Sequence, residues 1–182
     1  MWERFNLKPK PCEVTMNIIY RKATPNDAQA LLKHVRTVGS ETDNLSYSGV
    51  TFNISEDKEA RFINRFYKSE NDIMLIACDG DVVVGNAIVE RNRIDRYSHR
   101  AEISITVLKE YWGNGIGTNL MQRMIDFAKD TEIEILYLEA RRDNDRAINL
   151  YKKFGFSEIG IYKDFFKIDH RYYDAVLMTL KI

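Results

Sequence analysis

Cysteine is nearly absent: Cys12 and Cys78 are the only two in 182 residues, and they form no C-x-x-C pair. That excludes a disulfide framework and any zinc-knuckle spacing, so no metal is expected, and the count suits a reducing compartment. Three prolines and nine glycines are too few for a collagenous or low-complexity chain. An excess of either charge is missing too, since 27 Lys and Arg balance 27 Asp and Glu. No whole-molecule field therefore draws in nucleic acid or an anionic membrane, and no basic, aromatic-interleaved stripe suggests an RNA or DNA partner. Long apolar runs are lacking as well. Val82 to Val84, and Ile133 to Leu138 with Glu134 inside, fall far short of the roughly 20 residues that a membrane span needs. Residues 1–15 carry five charged side chains and no continuous apolar h-region of a secretory signal. A cytoplasmic protein is the expectation.

What the chain does have is a core. Apolar residues make up 45% and aromatics 12%, enough for one self-folding domain at this length. Pro9 and Pro11 lie in an aperiodic stretch, so residues 1–15 are set apart as a tail or expression remnant and residues 16–182 as the domain. A strand is expected over 17–22. Thr24-Pro25-Asn26-Asp27 then supplies an N-cap, a proline at the first helical position and an acid in the first turn, opening a helix that should run to about Val38. A polar loop from Gly39 to Asn44 should follow. Ala60, Ile63, Phe66 and Tyr67 mark a second helix. Ile73 to Cys78, Asp79-Gly80 and Asp81 to Val89 predict a hairpin on a type I′ turn. Further strands are expected at 100–108, 134–139, 157–167 and 172–181, with helices at 116–129 and 145–154. An antiparallel meander that switches into a strand–helix–strand crossover implies an α/β fold with a mixed sheet covered by helices.

Three of the nine glycines fall within five residues, Gly113-Asn114-Gly115-Ile116-Gly117, followed by Thr118. Ile116, Leu120, Met124 and Ala128 continue as a helical stripe. Loop amides and the positive end of the helix would converge on one point, which is an anion site. A P-loop is a poor match because Thr118 follows Gly117 with no lysine between. A Rossmann fingerprint would need a third glycine where Thr118 stands and a place in the first βαβ unit, and here a meander comes first.

With Asn144-x-x-Ala147-x-x-Leu150-Tyr151-x-x-x-Gly155-Phe156 following the loop by a helix and a strand, the chain resembles the GNAT superfamily of acetyl-CoA-dependent N-acetyltransferases over residues 17–182. The resemblance implies acetyl-CoA as acetyl donor and an amine as acceptor. It implies a pantetheine arm along the strand backbone at Val107 and Lys109, and the pyrophosphate on the amides of Gly113, Asn114, Gly115, Ile116, Gly117 and Thr118. Asn144 would bond the pantetheine arm and Tyr151 would protonate the departing thiolate. Glu102 matches a position from which relatives recruit a base, with His99 as the alternative. Glu41, in the loop expected to line the acceptor cleft, is the candidate acceptor contact, and the segment from Tyr162 to His170 lies on the same cleft in relatives. The family's loop begins with Arg or Gln where this chain has Trp112. The expected acceptor is a small primary amine, with a protein N-terminus or a non-catalytic CoA-binding role as alternatives. A homodimer is permitted by the sequence and not specified by it.

Overall fold

The structure is a computed structural model, and it describes residues 16–49 and 52–182. The tail assigned to residues 1–15 lies outside the described residues. Seven strands form one sheet in the order β1-β2-β3-β4-β5-β7-β6. β1 is Ile18–Lys22, β2 Ile73–Asp79, β3 Val82–Arg91 and β4 Arg100–Val107. These four pair antiparallel, as a meander should. β5 (Ile135–Arg141) then pairs parallel to β4 after the crossover through α3 (Ile116–Lys129). The last two strands, β6 (Ser157–Ile168) and β7 (Arg171–Lys181), form a hairpin, and β7 inserts between β5 and β6, antiparallel to both.

The first turn is fixed by charge. Thr24 donates through its backbone N–H and its hydroxyl to Asp27 Oδ2 at 2.8 and 2.9 Å, and Arg21 forks onto both Asp27 oxygens at 2.7 and 2.6 Å. The Arg21 hydrogen bonds hold the Asp27 carboxyl down at about 2. Residues 25–27 form a single 3₁₀ turn that leads into α1 (Ala28–Glu41). α1 therefore runs one turn past its expected end at Val38, taking in Gly39, Ser40 and Glu41. The reason is a close approach: a Cβ on Gly39 would lie 2.6 Å from the Gly49 nitrogen, and one on Gly49 2.2 Å from the Arg36 carbonyl oxygen. Gly39 is there so that a second backbone can press on the helix, and it does not stop it.

α2 (Glu56–Lys68) carries acids in its first turn and Arg65 and Lys68 in its last, each sign facing the helix end that favours it. Ile63 and Phe66 are fully buried, whereas Tyr67, expected on the same stripe, is 49% exposed and lies beneath the Lys22 ammonium. The hairpin turn falls one residue later than expected, on Gly80 and Asp81, because Asp79 still pairs with Val82. Only Gly80 has positive φ, 57°, which is the type II′ pattern and not the type I′ one.

Alternation along β2 separates the two faces of the sheet. Leu75 and Ala77 join the α3 side, where Leu120, Met121, Met124 and Ala128 have no exposed surface. Met74, Ile76 and Cys78 face α1 and α2. α4 (Asp145–Lys153) adds Ile148 and Tyr151 to the α3 side.

Candidate active site

β4 and β5 pair at three positions only, Arg100 with Ile135, Ala101 with Leu136 and Glu102 with Tyr137. β4 then continues beside β3 to Val107, and β5 beside β7 to Arg141. The two strands diverge, leaving a wedge between them. Asn92 N–H donates to the Arg100 carbonyl and Leu108 N–H to the Val84 carbonyl, both at 2.9 Å. The even-numbered residues of β4 thus turn their backbone groups toward β3, and Ile105 and Val107 turn theirs into the wedge. The Val107 carbonyl is taken by the Trp112 indole N–H at 2.8 Å. The Lys109 N–H donates to Glu41 Oε2 at 2.9 Å. Among the described residues, neither backbone group of Ile105 has a strand partner on the β5 side, and nor does the Val107 N–H. Ile105 was missed by sequence reasoning, and its parity with Val107 was the only signal that could have found it.

At the top of the wedge the chain makes a 3₁₀ turn, Lys109–Tyr111, and enters the glycine loop. Gly113 and Gly115 have φ of 86° and 77°, a region that side chains with a Cβ rarely enter. Among the described residues, no backbone N–H from Gly113 to Thr118 finds an acceptor. These are the orphan donors of a helix start, gathered on one loop. The Ile116 side chain is buried beneath them and pins the helix entrance. Gly117 sits where a Cβ would meet Leu150 of α4 at 3.4 Å, so α3 and α4 converge beside the loop.

Asn144 caps α4, accepting the Ala147 N–H at 3.2 Å through Oδ1. Its amide N–H₂ group is left to donate elsewhere. About two turns on, Tyr151 is 7% exposed and packs its ring against Phe156. Burial pushes its phenol up to about 12, and the hydroxyl has no partner among the described residues.

The other side of the wedge is acidic. Glu102 is exposed at the last paired position of β4, with Glu139 exposed on β5. Partial desolvation of this exposed side chain by the protein around it raises the Glu102 carboxyl first, and Glu139 and Glu90 add to the shift. Glu90 is itself paired with Arg65 at 2.5 Å. His99 precedes β4, and its carbonyl accepts from the Glu134 and Ile135 N–H groups at the end of the strand far from the loop. Glu41 stands at the end of a helix and not in a loop, and the loop after it is tied to β5 by Arg141, which donates to the Asp43 carbonyl at 3.3 Å. Beneath β4, His34 is 2% exposed, with Nδ1 3.0 Å from the Val83 carbonyl and Nε2 2.8 Å from Thr106 Oγ1. A carbonyl only accepts, so Nδ1 carries the proton and Nε2 accepts from Thr106. A cleft of about 840 Å³ between α1, residues 53–56 and the Gly80–Asp81 turn reaches His34 and Leu108. None of the residues expected in the site lines it.

The chain is similar to known proteins in both sequence and fold. Over 106 residues the chain is 32% identical to the N-alpha-acetyltransferase RimI of Mycobacterium tuberculosis, a match covering 58% of this chain and 65% of that protein. It is also 32% identical over 107 residues to the spermidine N(1)-acetyltransferase of Escherichia coli K12, covering 58% of this chain and 56% of that protein. The matched stretch is thus under two thirds of either relative. The crystal structure of a GNAT-family acetyltransferase from Streptococcus pneumoniae superposes with a TM-score of 0.87 at 29% identity, over 91% of this chain and 99% of that one. The sequence model of the acetyltransferase (GNAT) family matches residues 41–156, the stretch that holds wedge, loop and both motif helices, and the chain belongs to that family.

Proposed function

We propose that the protein is an N-acetyltransferase that moves the acetyl group of acetyl-CoA directly to a primary amine. The observation that carries this reading is the early end of the β4–β5 ladder beside a loop of orphan N–H groups. The loop would take the pyrophosphate, and Ile105 and Val107 would take the pantetheine amides as an added strand would. Asn144, capping with its oxygen, has its amide N–H₂ free for a pantetheine carbonyl.

The amine must lose a proton before it attacks the acetyl carbon, and the C–S bond breaks as the new C–N bond forms. Glu102 would take the proton, through water where the amine does not reach it. Its raised carboxyl makes it a stronger base than an ordinary surface glutamate. Tyr151 stays protonated across the working range because burial holds it near 12. That also makes it a weak acid toward a thiolate of pKa about 8.5. Full transfer would be uphill by roughly 5 kcal/mol, so Tyr151 acts chiefly by hydrogen-bonding the sulfur as charge develops there.

For the acceptor, Glu102 and Glu139 favour a small amine that carries a further positive charge over a protein N-terminus, since Glu90 is already satisfied by Arg65. The test is a panel of mono- and polyamines, amino acids and N-terminal peptides, read by CoA release and product mass. Faster turnover of di- and polyamines is the expected result. Peptides alone being acetylated would replace the acceptor, and acetyl-CoA binding with no product from any amine would leave a cofactor-binding protein.

A further inference from the structure

The glycine loop of this chain holds no cationic side chain from Trp112 to Thr118, yet one stands over it. The Arg146 guanidinium lies 4.4 Å from the centre of the Trp112 ring. Trp112 is held in turn by its indole N–H on the Val107 carbonyl, so the ring is a fixed platform and not a loose surface aromatic. Arg146 belongs to the first turn of α4, directly after the Asn144 cap. A positive charge there opposes the helix dipole, and no carboxylate among the described residues forms an ion pair with it. The guanidinium is thus exposed, unneutralised, oriented by stacking and set beside six orphan backbone donors.

We propose that Arg146, presented on the face of Trp112, is the side-chain cation that binds the pyrophosphate of CoA, replacing the cation missing from the loop itself. This rests on the reading of the loop as an acetyl-CoA site. A planar guanidinium suits the task because it stacks on an aromatic face while its edge N–H groups remain free to fork onto phosphate oxygens. Trp112 then has two tasks: its N–H closes the end of β4, and its ring aims Arg146.

The test measures acetyl-CoA and acetyl-dephospho-CoA binding by calorimetry for the wild type, Arg146→Gln, Arg146→Lys, Trp112→Phe and Lys109→Gln. Arg146 is exposed, so Arg146→Gln should melt at the wild-type temperature without ligand. The expected result is a Kd raised about tenfold to a hundredfold in Arg146→Gln, by the same factor for both ligands. Arg146→Lys should recover part of the loss, and Trp112→Phe, which keeps an aromatic face but loses the indole N–H that fixes it, should keep only part of the affinity. A loss confined to acetyl-CoA would move the contact to the 3′-phosphate and overturn the assignment. Unchanged binding in Arg146→Gln, or a loss that Lys109→Gln alone reproduces, would overturn it as well. A wild type that binds neither ligand would remove the acetyl-CoA reading itself, which the Arg146→Gln comparison by itself cannot do.

Discussion

His34 gives the structure a pH dependence that can be worked out in advance. Its ring is buried between α1 and the sheet, and burial lowers it to about 4 from an ordinary 6.5. The folded state therefore binds the proton less readily than the unfolded state. The stability that His34 contributes is complete above pH 6.5 and is lost as the pH falls toward about 4. At about pH 5 the loss amounts to roughly 2 kcal/mol, and below both values it levels off at about 3 kcal/mol. Asp27, lowered from an ordinary 3.8 to about 2, keeps its contribution down to about pH 4 and loses it as the pH falls on toward 2. Glu59 and Glu102, both raised by burial, act in the opposite direction, since acid relieves them. The comparison must therefore be with His34→Gln, which keeps an acceptor for the Thr106 hydroxyl and does not titrate. Urea unfolding at about pH 8, 7, 6 and 5 should show the wild type losing about 2 kcal/mol more than the variant. Equal losses in the two proteins would refute the reasoning. If His34→Gln fails to fold, NMR titration of the wild-type imidazole decides, and a ring that charges near 6.5 refutes it directly.

Tyr151→Phe should lower turnover about a hundredfold and leave acetyl-CoA affinity unchanged in calorimetry; wild-type turnover with chemistry rate-limiting would make Tyr151 a core residue. Glu102→Gln should remove the acidic limb of the pH–rate profile, a limb that lies above the usual carboxylate range because burial raises the group; a limb that survives assigns it elsewhere. Gly115→Asp, at a φ of 77°, adds strain, bulk and negative charge to the loop. It should abolish the acetyl-CoA thermal shift, which at a hundredfold excess over Kd amounts to about 2.7 kcal/mol in the wild type. Glu41→Ala should weaken acetyl-CoA more than it weakens the amine, because its carboxylate holds the Lys109 N–H; the reverse order in steady-state kinetics would restore Glu41 to the acceptor.

Periodicity and capping made most of the elements legible. The stripe Ile116, Leu120, Met124 and Ala128 is buried as spaced, and the strand at 157–167 differs from β6 by one residue. Errors came where a long-range contact overrode a local rule. Gly39 resembles a helix stop until Gly49 is seen pressed against it. The Asp79-Gly80 pair signals a turn correctly, but the register of β2 on β3 decides which residues occupy it. In the candidate site, glycines and the Asn144–Tyr151 spacing could be read because each imposes a local conformation. The contacts Glu41–Lys109, His34–Thr106 and Arg146–Trp112 could not, since each joins residues that only the folded sheet brings together.

β4 explains why these contacts gather in one place. Its odd residues send side chains to the α3 side, where a Cβ on Gly117 would meet Val107 and Ile105 at 3.9 and 4.0 Å. Its even residues send theirs to the opposite face, Thr106 onto His34 and Glu102 toward Glu139. The backbone between them is left unpaired on its β5 side from the point where the ladder stops. One strand thus divides the apolar wall under the glycine loop from the acidic face, and its own backbone runs between the two. A register slip of a single residue against β3 would exchange the faces, carrying Glu102 into the α3 core and Ile105 into the acidic face. The many antiparallel pairs that bind β4 to β3 therefore specify the chemistry of the wedge as well as the fold.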